Sequence, residues 1–377
     1  MNIDEIIDNI DSNNLNIAFG RVVKISAVTL TAVGLDVAVG DIVRIESVQK
    51  LYTVLGMVTV LNDDMFVIVP FSFIDGFKIN DKVFLQRDGL TIKCGNGLLG
   101  RVVNALGEPI DDLGKIRDLD TNAPINKESM SPLDRGIIDQ KFATGVKAID
   151  SMLTCGKGQK VGIFAGSGVG KSTLMGMIVQ GCEATIKVIA LVGERGREIP
   201  EFIHYNLNNN LENTVIVTAT SDESPLMRKY AAFTAMSIAE YFRDKGHDVL
   251  LMMDSVTRFA MAQREIGLST GEPPVSRGYP PSVFALLPQL MERAGNSKKG
   301  SITAFFTVLV DGDDLNDPIA DQSRSILDGH IVLTRDLTEQ GFYPPINILK
   351  SASRVIDKVV TKEHYNDFLK LKRVLSL

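Results

Sequence analysis

The chain is poor in cysteine, and the placement of the few that occur excludes several classes of protein. Only three are present in 377 residues, at Cys94, Cys155 and Cys182. The intervals between them do not match the spacing of a metal site, and an odd number argues against a complete disulfide framework. Because disulfides are rare where the cell keeps thiols reduced, we expect a protein of the cytoplasm.

Long apolar runs and an excess of basic charge are missing as well. No run reaches the roughly 18 apolar residues expected of a membrane-spanning helix. The chain begins MNIDEIIDNIDSNNLN, which is polar and acidic and therefore unlike a secretory signal. The formal net charge is −6, with Lys and Arg scattered along the chain. A non-specific nucleic-acid binder would carry a basic patch, so we expect no nucleic-acid partner.

The first segment is a predicted amphipathic arm over residues 1–18. Apolar residues recur there at helical spacing, at Ile3, Ile6, Ile7 and Ile10. So short a helix is unstable alone in water, so it must dock on another surface. The sequence favours neither its own protein nor a partner as that surface.

The second segment, over residues 19–90, is predicted to be a β-barrel assembly domain. Short apolar and β-branched runs alternate there with Gly, Asp and Asn, and the last run reaches Cys94. The runs are GRVVKISAVTLTAVG, DIVRIES, MFVIVPF, KVFLQ and LTIKC. Several short strands at such intervals indicate a small barrel or sandwich. No residue in the segment has obvious chemistry, hence the assembly interpretation.

The third segment, over residues 91–355, alternates predicted strands and helices. The strand candidates are KVGIFA, IKVIALVG, TVIVTAT, DVLLMMD, SITAFFTVLV and GHIVLT. The longest helical stretch is PLMRKYAAFTAMSIAEYFRDKG, with Ser224 as its cap and Pro225 in its first turn. Apolar strands that alternate with helices indicate a mostly parallel sheet covered on both faces. The predicted fold class is therefore α/β, with a small N-terminal β-barrel in front of the core.

The strongest local motif is a phosphate-binding loop. The run AGSGVGKST follows the strand KVGIF and precedes the helical TLMGMIVQG, which is the context that confirms a P-loop. Its glycines let backbone N–H groups face phosphate oxygens, and the following helix adds its dipole. We expect Lys171 to reach the β- and γ-phosphates of ATP and Ser172 to hold Mg²⁺. The candidate nucleotide-binding residues are Ala165, Gly166, Ser167, Gly168, Val169, Gly170, Lys171, Ser172 and Thr173. Ala165 stands where the strict motif has Gly, which is tolerable if its φ is negative.

Two carboxylates end other predicted strands of this core. Asp254 ends DVLLMMD, and Glu194 follows IKVIALVG. Open α/β sheets bind ligands at that end of their strands, so Asp254 is expected to organise Mg²⁺ or its water. Glu194 is either the base for attack of water on the γ-phosphate or part of a solvated charged loop, and the residues alone weigh these equally.

The order of these motifs resembles the rotary-type ATPases, which include F-, V- and A-type head subunits, type III secretion ATPases and flagellar export ATPases. The resemblance runs from about Gly100 to Val355 through GRVVNALGEPIDDLG, VGERGRE, LMMDSVTRFAMAQRE, EPPVSRGYPPSVFALLPQLMERAG, ADQSRSILDGHIVLTR and GFYPPINILKSASRV. The sequences of these motifs are most similar to those of the flagellar branch. It implies a MgATP-hydrolysing ATPase that energises flagellar type III protein export as a hexameric ring. The alternative is a virulence type III secretion ATPase or an ATP-synthase catalytic-type subunit.

The same resemblance implies roles for individual residues. It implies that Glu194 is the catalytic glutamate, with Lys171 and Arg195 beside the phosphates. Tyr343 in GFYPP matches an aromatic residue that packs on adenine, and Arg354 in SASRV matches an arginine finger that reaches the neighbouring subunit's nucleotide. Ser172 and Asp254 keep their expected role in holding Mg²⁺.

Partners and location follow from the resemblance too. The loop over residues 271–282 matches a segment that faces a central-stalk protein, and the arm would take a stator-like regulatory protein. Export-gate membrane proteins, chaperones and export substrates complete the expected partners. The protein is then cytoplasmic, with peripheral association at the inner face of the cytoplasmic membrane. Residues 356–377 begin a helical C-terminal domain that we expect to be cut short.

Two rival interpretations share the P-loop. A catalytically silent ring subunit would replace the catalytic acid, so Glu194 argues against it. A ring helicase or RNA translocase would need a basic stretch rich in aromatic residues, which this acidic chain lacks.

Overall fold

The structure is a computed structural model that describes residues 18–47, 52–310 and 316–377. The predicted arm lies outside these ranges except for its last residue, so it stays a prediction. The chain forms two compact units. The first comprises the described part of Met1–Leu90 together with Leu268–Glu272, and the second comprises Thr91–Gly267 together with the described part of Pro273–Leu377.

The first unit contains a closed β-barrel. Its strands among the described residues are β1 (Gly20–Ile25), β2 (Leu30–Val33), β3 (Ile42–Glu46), β4 (Thr53–Asn62), β5 (Met65–Pro70) and β6 (Lys82–Gln86). They close in the order β1-β2-β5-β4-β3-β6, and every pair is antiparallel. Apolar side chains from successive strands fill the interior, among them the fully buried Val22, Leu30, Ile45, Ile68 and Val83. The predicted barrel is confirmed, and the sandwich alternative is wrong.

The second unit is built on a large sheet. Its strands and those of two small sheets are β7 (Thr91–Cys94), β8 (Val102–Val103), β9 (Thr121–Pro124), β10 (Lys141–Phe142), β11 (Cys155–Gly156), β12 (Lys160–Ala165), β13 (Ile186–Glu194), β14 (Thr214–Thr220), β15 (Asp248–Asp254), β16 (Gly295–Asn296), β17 (Ser301–Leu309), β18 (Gly329–Val332) and β19 (Ala352–Ser353). The large sheet runs β19-β18-β12-β17-β15-β13-β14-β8, with β16 beside β17. Only β19 and β16 run antiparallel to their neighbours among the described strands of this sheet. The predicted mostly parallel sheet is therefore confirmed.

The run LTIKC forms a strand outside the barrel. Its strand β7 pairs antiparallel with β9 in a separate two-stranded sheet of the second unit. The run GRVVKISAVTLTAVG also differs from a single strand. The N–H of Ser26 bonds the carbonyl of Thr29 in a turn, and β1 and β2 form a hairpin around it. Strand propensity identifies such runs but not their partners, since pairing depends on packing across the fold.

Helices cover the sheet. Those of the described residues are α1 (Lys147–Met152), α2 (Lys171–Gly181), α3 (Glu198–Glu201), α4 (Pro225–Asp244), α5 (Val256–Ser269), α6 (Pro281–Met291), α7 (Pro318–Ile326), α8 (Arg335–Glu339), α9 (Ile356–Val359) and α10 (Lys362–Leu375). A π-helical turn, Phe202–Asn206, continues α3, and 3₁₀ turns lie at Asn96–Leu98 and Pro132–Asp134. The Ser224 side chain accepts a hydrogen bond from the N–H of Met227 at 3.2 Å, so the predicted cap of α4 is confirmed. Within the described chain, no helix combines the length and apolar character needed to cross a membrane.

Parallel pairing brings the ends of four strands to one edge of the sheet. Ala165 at the end of β12 is opposite Leu309 of β17, and Leu191 of β13 is opposite Asp254 at the end of β15. The chain after β12, β13 and β15 therefore emerges at the same edge. Both Lys160–Ala165 and the last six residues of β15 are buried throughout, so the sheet is a fixed platform for that edge.

A buried ion pair fastens α4 to the chain that follows α6. Arg293 has no exposed surface and Glu240 is 4% exposed. The guanidinium bonds both carboxylate oxygens of Glu240, at 2.7 and 3.1 Å. It also donates to the carbonyl of Ile125 at 2.8 Å and to Oγ of Ser237 at 2.9 Å. Because both carboxylate oxygens and all three guanidinium nitrogens are hydrogen-bonded, much of the cost of burying the two charges is offset.

We expect Glu240→Gln to destabilise the protein strongly, because Arg293 would keep a buried charge without its counter-ion. Breaking one side of a buried pair costs about 3–5 kcal/mol. The matched control is Asp367→Asn in the exposed Asp367–Lys370 pair, where an exposed pair is worth about 1 kcal/mol or less. Chemical denaturation followed by circular dichroism measures both. Equal losses in the two variants would show that the buried pair contributes no more to stability than the exposed one.

Candidate functional site

The predicted phosphate-binding loop lies between β12 and α2. Gly168 and Gly170 have φ values of 76° and 91°, a left-handed conformation that glycine adopts without steric cost. Ala165 does not have a positive φ, so its methyl group is compatible with the loop. Helix α2 begins at Lys171, where the N–H of Leu174 bonds the carbonyl of Gly170. The loop thus ends on the N-terminus of an 11-residue helix, which favours an anion.

Three of the predicted site residues meet at the shared edge of the sheet. The ammonium group of Lys171 hydrogen-bonds Oδ1 of Asp254 and lies 3.6 Å from Oε1 of Glu194. These side chains are 12%, 5% and 12% exposed, respectively. One cation and two carboxylates therefore share a nearly dry site. The structure places Lys171, Glu194 and Asp254 together, as their positions after the strands predict.

Burial and charge shift two pKa values in this cluster. Burial lowers the pKa of Lys171, but the attraction of Asp254 and Glu194 outweighs it, and the net shift is upward. Burial is also the largest influence on Glu194 and raises its pKa to about 7; Lys171 opposes the rise and Asp254 adds to it. Oε1 of Glu194 is buried without a hydrogen-bond partner among the described residues. Glu194 therefore holds a proton near neutral pH far more readily than an ordinary glutamate.

Two residues of the site were missed by sequence reasoning. Thr307 of β17 is fully buried, and its hydroxyl donates to Oδ1 of Asp254 at 2.6 Å. Arg258 in α5 donates to the carbonyl of Gly193 at 3.0 Å, and its charge lowers the pKa of both Lys171 and Glu194. The available signals were a hydroxyl residue near the end of the apolar run SITAFFTVLV and an arginine one helical turn after Asp254.

Three other predicted site residues have exposed side chains. The side chains of Ser172 and Thr173 are exposed in the first turn of α2. Arg195 is 67% exposed, and its guanidinium lies 3.8 Å from the carboxylate of Glu198. In the described part of the chain the structure does not bring Arg195 to the Lys171 cluster.

Tyr343 lies in a segment that flanks the P-loop. A Cβ atom built on Gly170 would lie 3.8 Å from Cδ of Pro345, and Arg335 donates to the carbonyl of Ser167 at 3.4 Å. The Tyr343 side chain is 66% exposed and precedes a cis peptide bond to Pro344. Tyr343 is therefore exposed and lies two residues before a proline that approaches the loop.

Arg354 lies at the other end of the sheet. Its N–H bonds the carbonyl of Asp328 at 3.0 Å, and the N–H of Asp328 bonds the carbonyl of Lys160 at 2.8 Å. Lys160 begins β12 and the P-loop follows its end at Ala165, about 16 Å further along at 3.3 Å per residue. The Arg354 guanidinium donates to the carbonyl of Arg324 at 3.2 Å. Arg354 is therefore remote from the P-loop of its own chain.

The donor set fits a magnesium ion held together with a nucleotide. No group of three or more His, Cys, Asp or Glu side chains that would hold a metal occurs among the described residues. Mg²⁺ is usually bound by one or two carboxylates together with phosphate oxygens and water, not by an all-protein cage. One hydroxyl, from Ser172, and one carboxylate, from Asp254, are consistent with that mode.

Known proteins are similar to this chain in sequence. Residues 145–353, more than half of the chain, match the nucleotide-binding domain of the ATP synthase alpha/beta family. A flagellum-specific ATP synthase of Helicobacter pylori strain J99 is 60% identical over 360 residues, which are 95% of this chain and 82% of the relative. The chain belongs to the ATP synthase alpha/beta family.

Solved structures agree with that membership. The assembled ATPase EscN of the enteropathogenic E. coli type III secretion system is 47% identical, with a TM-score of 0.90 over 95% of this chain and 86% of that one. EscN in complex with its central stalk EscO is 46% identical, with a TM-score of 0.87 and coverage of 95% and 85%. The chain is an ATP-hydrolysing enzyme. Because its identity to the flagellar relative is the higher, flagellar export fits it better than virulence secretion or ATP synthesis.

The raised pKa of Glu194 predicts a pH-dependent stability difference from Glu194→Gln. The folded wild type binds this proton up to about pH 7, whereas the unfolded chain releases it near 4.5. Wild-type stability therefore falls as pH rises through this window, and the Gln variant lacks the fall. At about 1.36 kcal/mol per pH unit, the variant should gain on the order of 2–3 kcal/mol relative to wild type between about pH 5 and pH 8. Denaturation at the two pH values measures it, and a constant difference would show that Glu194 ionises at its ordinary pKa.

Proposed function

We propose that Lys171, Glu194 and Asp254 carry MgATP hydrolysis in this chain, and that the hydrolysis energises flagellar type III protein export. The observation that carries the proposal is the meeting of these three side chains beside a P-loop. Lys171 is paired with both carboxylates. The phosphates of ATP would compete with them for its ammonium group and for the backbone N–H groups of the loop.

Glu194 is the proposed base. Its carboxylate accepts a proton from, or orients, the water that attacks the γ-phosphate in line; a P–O bond to water forms as the P–O bond to ADP breaks. A base is most effective when its pKa lies near the working pH, and burial brings Glu194 to about 7. The charge of Arg258 beside it favours the ionised form that can accept the proton.

Ser172 and Asp254 are the proposed residues that would hold Mg²⁺, which supplies neutralisation of charge on the phosphate oxygens. Thr307 keeps the Asp254 carboxylate in place through its 2.6 Å hydrogen bond. Tyr343 is proposed to pack on adenine. Arg195 is exposed, so it contributes to phosphate binding only by turning toward the site.

We propose that Arg354 completes the site of a neighbouring chain in a hexameric ring. Its separation from its own P-loop by the length of β12 supports action across a subunit boundary. EscN, which is 47% identical, has been solved as an assembled ATPase. An arginine finger supplied in this way stabilises charge on the transferring phosphoryl group.

Several proteins are proposed to bind this ring. EscN binds a central stalk, EscO, so a stalk protein is proposed at the loop over residues 271–282, where Val275 is 62% exposed. A stator-like regulatory protein at the arm, and export-gate proteins, chaperones and export substrates, remain proposals from the family resemblance. The proposed place of action is the cytoplasm, at the inner face of the cytoplasmic membrane.

Glu194→Gln is expected to separate chemistry from binding. The amide keeps the shape of the side chain but cannot accept the proton, so kcat should fall by about 10²–10⁴-fold while ATP affinity changes little. Phosphate release and equilibrium nucleotide binding measure the two effects. A loss of affinity with unchanged turnover per bound ATP would assign Glu194 to binding instead.

Mixed rings test the placement of Arg354. Lys171→Ala and Arg354→Ala chains should each be inactive alone, the second with a loss of about 10³–10⁵-fold. In an equal random mixture, about a quarter of head-to-tail interfaces join an intact P-loop to an intact arginine. We expect phosphate release to reappear in the isolated ring fraction, at up to that share of wild type. Mixed rings without recovered activity would contradict action in trans.

A further inference from the structure

The direction of the Glu194 carboxylate depends in part on its backbone. The side chain has a hydrogen bond with Glu198 and an ion pair with Lys171, but its Oε1 atom has no hydrogen-bond partner among the described residues. The pairing of β13 with β14 shifts register between Val192 and Glu194, which leaves Gly193 as an extra residue with a φ of 70°. Such a bulge turns the following side chain to a new direction. The conformation of Gly193 therefore contributes to the direction in which the Glu194 side chain leaves the strand.

Two arginine side chains enclose this glycine. A Cβ atom built on Gly193 would lie 3.0 Å from Cβ of Arg258 and 3.7 Å from Cδ of Arg228. Arg258 also donates to the carbonyl of Gly193 at 3.0 Å. On the other side of the turn, the N–H of Ser221 donates to the carbonyl of Glu194 at 2.9 Å. The carbonyl groups of Gly193 and Glu194 thus both accept hydrogen bonds, and two arginine side chains flank the turn.

Arg228 is itself held in a fixed position. Its Nη1 bonds Oε1 of Glu265 at 3.1 Å, its Nη2 bonds Oε2 of the same carboxylate, and its Nε donates to the carbonyl of Glu223 at 3.1 Å. This two-pronged contact fixes both the plane and the direction of the guanidinium. The Arg228 side chain is only 12% exposed, whereas Glu265 is 50% exposed. Glu265 also pairs with the positive charge of Arg228, which is one of the two arginines beside Gly193.

We propose that Arg228, fixed by Glu265, is a positioning residue for ATP hydrolysis. Its side chain walls the turn at Gly193 and so keeps the Glu194 carboxylate directed at Lys171 and the reacting phosphate. The proposal rests on the proposed function of Glu194. In the described chain, the ion pairs and hydrogen bonds of Arg228 and Glu265 do not include Lys171 or Asp254, so their effect passes through Glu194.

The test uses Glu265→Gln and Arg228→Lys in the full chain. Glu265→Gln removes the counter-charge, and Arg228→Lys keeps the positive charge but loses the two-pronged contact. A misplacement of about 1 Å at a reacting group costs about 10²-fold in rate, so we expect kcat to fall by about 10- to 100-fold in both variants. The KM for ATP should change by less than about threefold, because the phosphate-binding loop is untouched. The matched control is Asp134→Asn in the exposed Asp134–Lys298 pair, which should leave both constants unchanged.

A second measurement separates positioning from general damage. In a Glu194→Gln background, adding Glu265→Gln should not lower the residual turnover further, since the two changes act through the same carboxylate. A further fall in that double variant, or a raised KM with unchanged kcat in either single variant, would overturn the proposal. If Glu194→Gln alone retains full turnover, the proposed function of Glu194 fails. Normal kcat in Glu265→Gln together with a severe loss in Glu194→Gln would overturn only the positioning role.

Discussion

The meeting of the Lys171 ammonium group with the carboxylates of Asp254 and Glu194 is the interaction on which the site of the second unit depends. A charge in a nearly dry site is costly unless it is paired and hydrogen-bonded. Lys171 satisfies this condition only because Asp254 and Glu194 arrive at the same place from other strands. The three side chains are far apart in the sequence, so the fold must bring the ends of β12, β13 and β15 to one edge. Parallel strands with helical connections do so.

The register of the strands must also be correct for these three side chains to meet. Because side chains alternate between faces, a slip of one residue in β15 would turn Asp254 to the opposite face of the sheet, away from Lys171. The pairing of Asp254 with Leu191 of β13 and of Met253 with Phe306 of β17 fixes the register of β15. Burial of these strands also lowers the local dielectric, which strengthens the attraction between the charges at their ends. The same strand pairings therefore determine both the stability of the core and the chemistry of the site.

Much of this site was predictable from sequence because its parts are local. The P-loop with the strand before it, and each acid with the strand that it ends, can be recognised from a run of a few residues. The hydrogen bond from Thr307 to Asp254 was not predictable, because it joins residues 53 positions apart and depends on which strands are neighbours. Arg258 was missed for a similar reason, since it lies on a helix and its partner is a carbonyl group of β13, 65 positions earlier. The run LTIKC was identified as a strand, yet its partner β9 is also set by the assembled fold.

The location of Arg354 at the start of β12, with the P-loop at its end, has a consequence for stoichiometry. If each complete site takes its arginine from the next chain, an isolated chain has two incomplete sites. One contains its P-loop and the other its Arg354. An open arc of chains then holds one fewer complete site than it has chains, and its two ends are unlike. Closing the arc creates the last site without adding a chain. Specific activity would therefore depend on protein concentration, and ring closure itself would act as the final step of enzyme activation.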